Sequence, residues 1–126
     1  MSERTLRVLL VDDEELVRGA VRDWLEDEQF VITEAASGAE ALALLAGEAF
    51  DCCILDLHLP DMTGTQVLAA ARQAGSTSAW LVMTGRLDIE TVQELHGLGV
   101  AAEAILVKPI LDMQQISHTI HLLIAP

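Results

Sequence analysis

The sequence predicts an α/β fold in which a five-stranded parallel sheet is covered by helices on both faces. Three observations carry this expectation. Five short apolar runs alternate with five segments of helical period. Within those runs the apolar residues are consecutive, as strands buried on both sides require, and do not alternate with polar ones. Polar residues fall instead where the runs end. A chain of 126 residues suits one domain, expected to occupy 1–126 with its core at about 6–124 and no output domain in this chain.

The first strand is expected at 6–11, ended by the acidic cluster Asp12, Asp13, Glu14 and Glu15. The following helix places Val17, Ala20, Val21, Trp24 and Leu25 on one stripe, with Arg18, Arg22, Asp23 and Glu26 on the other. A second strand reads at 30–35. Ser37 then caps a helix over 38–46, with Glu40 placed to complete a capping box. The third strand, 52–57, is apolar until Asp56, and the loop HLPDMTG leads to a helix across 66–74. The fourth strand, 79–83, runs into Thr84 and Gly85. Asp88 caps a helix reaching Gly97, with Ile89, Val92 and Leu95 inward. The fifth strand, 104–107, closes on Lys108 and Pro109, and the last helix carries Leu111, Met113, Ile116, Ile120, Leu123 and Ile124.

Composition narrows the function. With 52% hydrophobic and 21% charged residues the chain is globular, and with 3% aromatics and no Tyr its core must be aliphatic. A net charge of −13 repels nucleic acid phosphates and anionic lipid, so direct binding to either is not expected. No run approaches the ~20 apolar residues of a membrane span, and the N-terminus lacks a signal peptide's apolar region, which implies a cytoplasmic protein. Cys52 and Cys53 are neighbours on a strand and point to opposite faces, which suits two buried, reduced thiols.

The chemistry is carried by the strand ends. Asp12 and Asp13 follow strand one, Asp56 ends strand three, Thr84 strand four and Lys108 strand five. In an open parallel sheet, ligands bind outside the carboxyl ends of the strands. Two carboxylates about 5 Å apart repel by roughly 3 kcal/mol at an effective dielectric of about 20, so three in one pocket raise a pKa or recruit a cation. A few oxygen ligands that leave room for water and phosphate oxygens favour Mg²⁺, with Mn²⁺ as a substitute. Lys108 supplies a point charge for phosphoryl oxygens, and the Asp56 carboxylate can act as a nucleophile.

The segments VLLVDDEE, ILDLHLPDMTG, VMTG and LVKP resemble, in order and placement, the motifs of the CheY-like receiver domain of two-component response regulators. The resemblance covers 6–124 and implies a flavodoxin-like (βα)5 fold with strand order 2-1-3-4-5. It implies that Asp56 accepts a phosphoryl group from the phosphohistidine of a sensor histidine kinase or a phosphotransfer protein. Mg²⁺ would be held by Asp12, Asp13, Asp56 and the backbone carbonyl of His58. Thr84 matches the switch hydroxyl, Lys108 the phosphate-contacting lysine, and the Lys108–Pro109 bond is expected cis. The surface of helix four, strand five and helix five would then rearrange toward an output domain or partner protein, with a homodimer as one form. Such a protein is a switch with self-catalysed phosphorylation and dephosphorylation, not a metabolic enzyme.

Two departures bear on the output. Ile105 stands three residues before the lysine, where the family places an aromatic ring, and an aliphatic side chain cannot perform a ring rotation. The approach GLGVAAEAILVKP is about two residues longer than the family's, so the segment after helix four should be unusual. His58 and Arg86 flank the mouth of the site, as modulators or as solvated bystanders. His118 and His121 share a helix face, His96 is expected on the surface, and Trp24 and Trp80 in the core. Two other classes remain open. An aspartyl-nucleophile phosphohydrolase would need an acid two residues after Asp56, where His58 stands. A phosphorylation-independent interaction module gains support from Ile105.

Overall fold

The computed structural model describes residues 5–124. Its strands are β1 (Arg7–Val11), β2 (Val31–Ala35), β3 (Cys52–Asp56), β4 (Ala79–Thr84) and β5 (Ile105–Val107). Its helices are α1 (Glu15–Asp27), α2 (Gly38–Gly47), α3 (Gly64–Gln73), α4 (Ile89–Gly97) and α5 (Gln114–Ile124). All strand pairs are parallel and the order is β2-β1-β3-β4-β5, as the resemblance implied. The order reverses between β1 and β3, so the carboxyl ends of these two central strands form the crevice where ligands bind in such sheets.

Alternation along the strands divides the core into two layers. Leu9, Val11, Cys53, Leu55 and Val82 pack toward α2, α3 and α4, joined by Ala41, Val67, Leu68 and Leu95. Val8, Leu10, Cys52, Ile54 and Leu81 pack toward α1 and α5, joined by Val21, Leu25, Ile116 and Ile120. Every residue of β3 is buried, which is why its sequence is apolar without alternation. Cys52 and Cys53 fall one in each layer as free thiols, and burial pushes the Cys53 thiol up to about 12. Trp80 is buried, whereas Trp24 is only half-buried.

Helix ends follow local chemistry. Thr63 and Gln66 form a complete reciprocal capping box, so α3 begins at Gly64, two residues before the expected start. At α2 the Glu40 N–H donates to the Ser37 hydroxyl, while the Glu40 carboxylate lies 3.4 Å from that same hydroxyl and so does not close the box expected there. Asp88 caps α4 by accepting from the Thr91 N–H. Gly75 and Gly99, with positive φ of 89° and 90°, close α3 and α4, and the Ser76 and Val100 N–H groups reach back to Ala71 and Leu95.

Several expected core positions are exposed. Ile89 opens α4 beyond the sheet and Leu111 precedes α5, so no layer covers them; they are 76% and 93% exposed. Ala20 is exposed as well, at the margin of the α1 stripe. The lengthened approach to β5 folds as a single 3₁₀ turn, Ala102–Ala104. It takes Ala104 out of the expected strand and leaves β5 three residues long. No helix among the described residues is long and apolar enough to cross a membrane.

Candidate functional site: an acidic cluster with one lysine

The ends of β1 and β3 bring the predicted acids together. Asp12, Asp13 and Asp56 each offer a carboxylate oxygen within 4.8 Å of the others. At that spacing each ionised pair repels by about 3 kcal/mol at an effective dielectric of about 20. Asp12 and Asp56 are buried and Asp13 is exposed, so the cluster opens to solvent on one side. Lys108 sits between the two buried acids, its Nζ donating to Asp12 Oδ2 and Asp56 Oδ2, each at 3.0 Å. Glu14 Oε1 lies 3.5 Å from the same nitrogen.

Backbone bonds fix these side chains. The Glu14 N–H donates to Asp12 Oδ1 at 2.9 Å, and the His58 N–H to Asp56 Oδ1 at 3.0 Å. The Lys108 N–H donates to the Thr84 carbonyl, and the Lys108–Pro109 peptide is cis as expected. Burial pushes the Asp56 carboxyl above its ordinary range, against the opposing bonds from the His58 N–H and Lys108. Burial alone would lower the Lys108 ammonium, but its bonds to Asp12 and Asp56 outweigh that and raise it. One ammonium cannot balance three carboxylates. The donor set, hard oxygens with an open side, fits Mg²⁺ or Mn²⁺.

Thr84 is placed differently. It is fully buried one residue beyond the strand partner of Asp56, yet its hydroxyl donates to the Arg86 carbonyl at 2.7 Å and accepts from the Arg86 N–H at 3.2 Å. The hydroxyl is thus held in its own turn, apart from the lysine and acids. His58 and Arg86 are exposed and line one cleft of about 230 Å³ with Thr63, Thr65 and Asp88. His118 and His121 are exposed on α5, and the His121 ring lies 5.4 Å from that of Phe30. His96 is exposed.

Two further residues, to which the sequence assigned no role in the site, support it. Asp61 accepts from the Gly38 and Ala39 N–H groups, so the loop after Asp56 caps α2 from across the fold. Those bonds, led by the one from Gly38, hold its carboxyl below the usual range. Arg18 donates to the Asp12 carbonyl at 2.6 Å. Neither contact has a local sequence signature, because both link residues that only the fold brings close. Gly64 also supports the site by its lack of a side chain: a Cβ there would stand 2.7 Å from the Asp56 carbonyl.

Residues 8–121 match the family described as the response regulator receiver domain. The chain belongs to that family. It is a receiver domain of the two-component response-regulator type. The alginate biosynthesis transcriptional regulatory protein AlgB of Pseudomonas aeruginosa is 37% identical over 108 residues, covering 86% of this chain and 24% of its own length. This receiver thus spans about a quarter of that relative. The chemotaxis protein CheY4 of Vibrio cholerae superposes with a TM-score of 0.87 at 30% identity, covering 95% of this chain and 99% of that one. A response regulator protein from Burkholderia pseudomallei, solved with a phosphorylated aspartic acid, a calcium ion and citrate, superposes with a TM-score of 0.82 at 27% identity. That match covers 91% of this chain and 66% of the other.

Proposed function

We propose that this receiver accepts a phosphoryl group on Asp56 in a metal-dependent reaction, from the phosphohistidine of a sensor histidine kinase or a phosphotransfer protein. The observation that carries the reading is the meeting of Asp12, Asp13, Asp56 and Lys108 at the switch-point crevice. The phosphorylated aspartic acid of the Burkholderia relative supports it.

Asp12, Asp13, Asp56 and the His58 carbonyl would hold Mg²⁺, or Mn²⁺ in its place. The ion would supply positive charge to offset the acids and the incoming phosphoryl oxygens. Asp56 then attacks phosphorus: an O–P bond forms, the donor's P–N bond breaks, and the imidazole departs with a proton. Lys108, already between two acids, transfers its contact to a phosphoryl oxygen. Thr84 leaves its turn with Arg86 and donates to the same group, drawing residues 85–87 along. Water later attacks the acyl phosphate, releasing phosphate and restoring the carboxylate. This self-catalysed cycle makes the chain a cytoplasmic switch whose output is a joined domain or a partner protein. Coupling to transcription, by analogy with AlgB, belongs to the same proposal, as does a homodimer as one form of the protein.

A second reading, an interaction module independent of phosphorylation, is favoured by one observation. Ile105 is half-buried against the α2–α4 layer and has no ring to rotate. Incubation with Mg²⁺ and acetyl phosphate or phosphoramidate, followed by intact mass, separates the readings. One added phosphoryl group, absent from Asp56→Asn, is expected. A folded protein that takes no label from any donor favours the module. Rapid turnover of a phosphate ester without a lasting adduct favours a hydrolase.

A further inference from the structure

Asp12 and Asp13 are consecutive, so a single peptide unit sets how their carboxylates lie relative to each other. The carbonyl of Asp12 belongs to that unit, and turning it would swing the exposed Asp13 side chain away from the buried Asp12. β1 ends at Val11, and the last tie to β2 is the Asp12 N–H donating to the Ala35 carbonyl at 3.1 Å. The Asp12 carbonyl lies beyond the sheet ladder. Arg18 Nη1, from the second turn of α1, donates to it at 2.6 Å.

Arg18 is itself held. Its Nε donates to Glu34 Oε1 at 3.0 Å, and Glu34 Oε2 accepts from Arg22 Nη1 at 3.1 Å. The Arg18 side chain is 15% exposed, buried for a residue of its length. Glu34 pairs with Leu10 in the β1–β2 register, so strand two fixes the carboxylate, the carboxylate fixes the guanidinium, and the guanidinium fixes the peptide. The planar fork bridges a carbonyl and a carboxylate from two separate nitrogens held in fixed geometry.

We propose that Arg18 is a positioning residue for divalent-cation binding: it clamps the Asp12–Asp13 peptide so that both carboxylates face one ion, with Glu34 as the anchor of the clamp. This rests on the metal-dependent reading above and adds a residue to it. The sign of the effect separates a clamp from a charge. A cation near the site repels an incoming Mg²⁺, so if Arg18 acted through its charge alone, removing it would tighten metal binding. A clamp makes the opposite demand. A purely structural role would lower the melting temperature and leave the affinity of the folded protein unchanged.

The test is Mg²⁺ titration of the full chain by calorimetry, with Mn²⁺ followed by paramagnetic resonance as a second probe, well below each variant's melting point. Wild type should bind one ion, and Asp13→Asn should bind it far more weakly. Arg18→Ala should raise the dissociation constant about tenfold, the scale on which partners of metal ligands act. Unchanged or tighter binding in Arg18→Ala, with wild type still binding, overturns the clamp and leaves the metal site standing. Should Arg18→Ala fail to fold, Arg18→Lys decides. It keeps the charge but replaces the rigid two-nitrogen fork with one nitrogen on a flexible stem, so a severalfold loss is expected, and wild-type affinity overturns the clamp. Failure of wild type to bind either ion overturns the metal reading itself, and the clamp with it.

Discussion

The acidic edge of the sheet and the face formed by α4 and β5 are built on opposite plans. At the acidic edge, Asp12, Asp56 and Lys108 are each held by at least two polar contacts drawn from different elements. On the other face β5 is three residues long and borders only β4, and Leu87, Ile89 and Val107 are 40%, 76% and 50% exposed. The difference is one of cost. A buried carboxylate that loses its partner is penalised by several kcal/mol, so its surroundings must be specified closely. An exposed aliphatic side chain is penalised little, so a surface can be left open. The acidic edge is thus preorganised by its polar contacts, whereas the face of α4 and β5 is left open.

The contrast breaks most readily at Lys108. Lys108→Met should slow labelling by a small phosphodonor about a hundredfold, the usual loss when a charge-stabilising donor is removed. Mg²⁺ binding should tighten at the same time, because the ammonium no longer competes for Asp12 and Asp56. Labelling rate by mass and affinity by calorimetry check the split, and equal labelling would remove Lys108 from the chemistry.

Thr84→Val tests the boundary between the two regions. It deprives the Arg86 N–H and carbonyl of their hydroxyl partner and should cost about 1–2 kcal/mol in urea unfolding. Labelling of Asp56 should persist, since the hydroxyl lies in its own turn.

Asp56 itself tests the cost of preorganisation. Burial raises its carboxyl in the folded state, so the folded chain holds that proton more tightly than the unfolded one does. Its ionised form therefore opposes folding at neutral pH, and the opposition fades as pH falls through the raised value. In chelator, Asp56→Asn should melt a few degrees above wild type near neutral pH, and the gap should close on acidification. A lower melting temperature would contradict the buried-charge account. The smallest effect belongs to the open face: Ile89→Ser and Val107→Ser should each change stability by no more than about 0.5 kcal/mol and leave labelling at the wild-type rate.

What the sequence disclosed followed the same division. The strands were legible because most are largely continuous apolar runs, although β2 carries Thr33 and Glu34. The site was legible because its acids and lysine stand at or just past strand ends, a position that needs no tertiary information. Arg18 and Asp61 were not, since their contacts span 6 and 23 residues to backbone groups that carry no side-chain signature. Thr63 and Gln66 did carry the capping-box pattern, but the loop motif around them masked the start of α3. Ile89 fits the helical period and is nonetheless exposed, because periodicity reports which side of a helix is apolar and not where the sheet beneath it ends. Leu111, by contrast, is exposed because α5 starts only at Gln114.

The central claim is that a covalent phosphoryl group forms on Asp56 and nowhere else. Borohydride reduces an aspartyl phosphate to homoserine, so the residue can be mapped after treatment with Mg²⁺ and acetyl phosphate. Tandem mass spectrometry should place homoserine at position 56 alone, and chelation of the metal should abolish it. Homoserine at Asp12 or Asp13, or none at position 56 in folded protein with metal and donor present, would contradict the account.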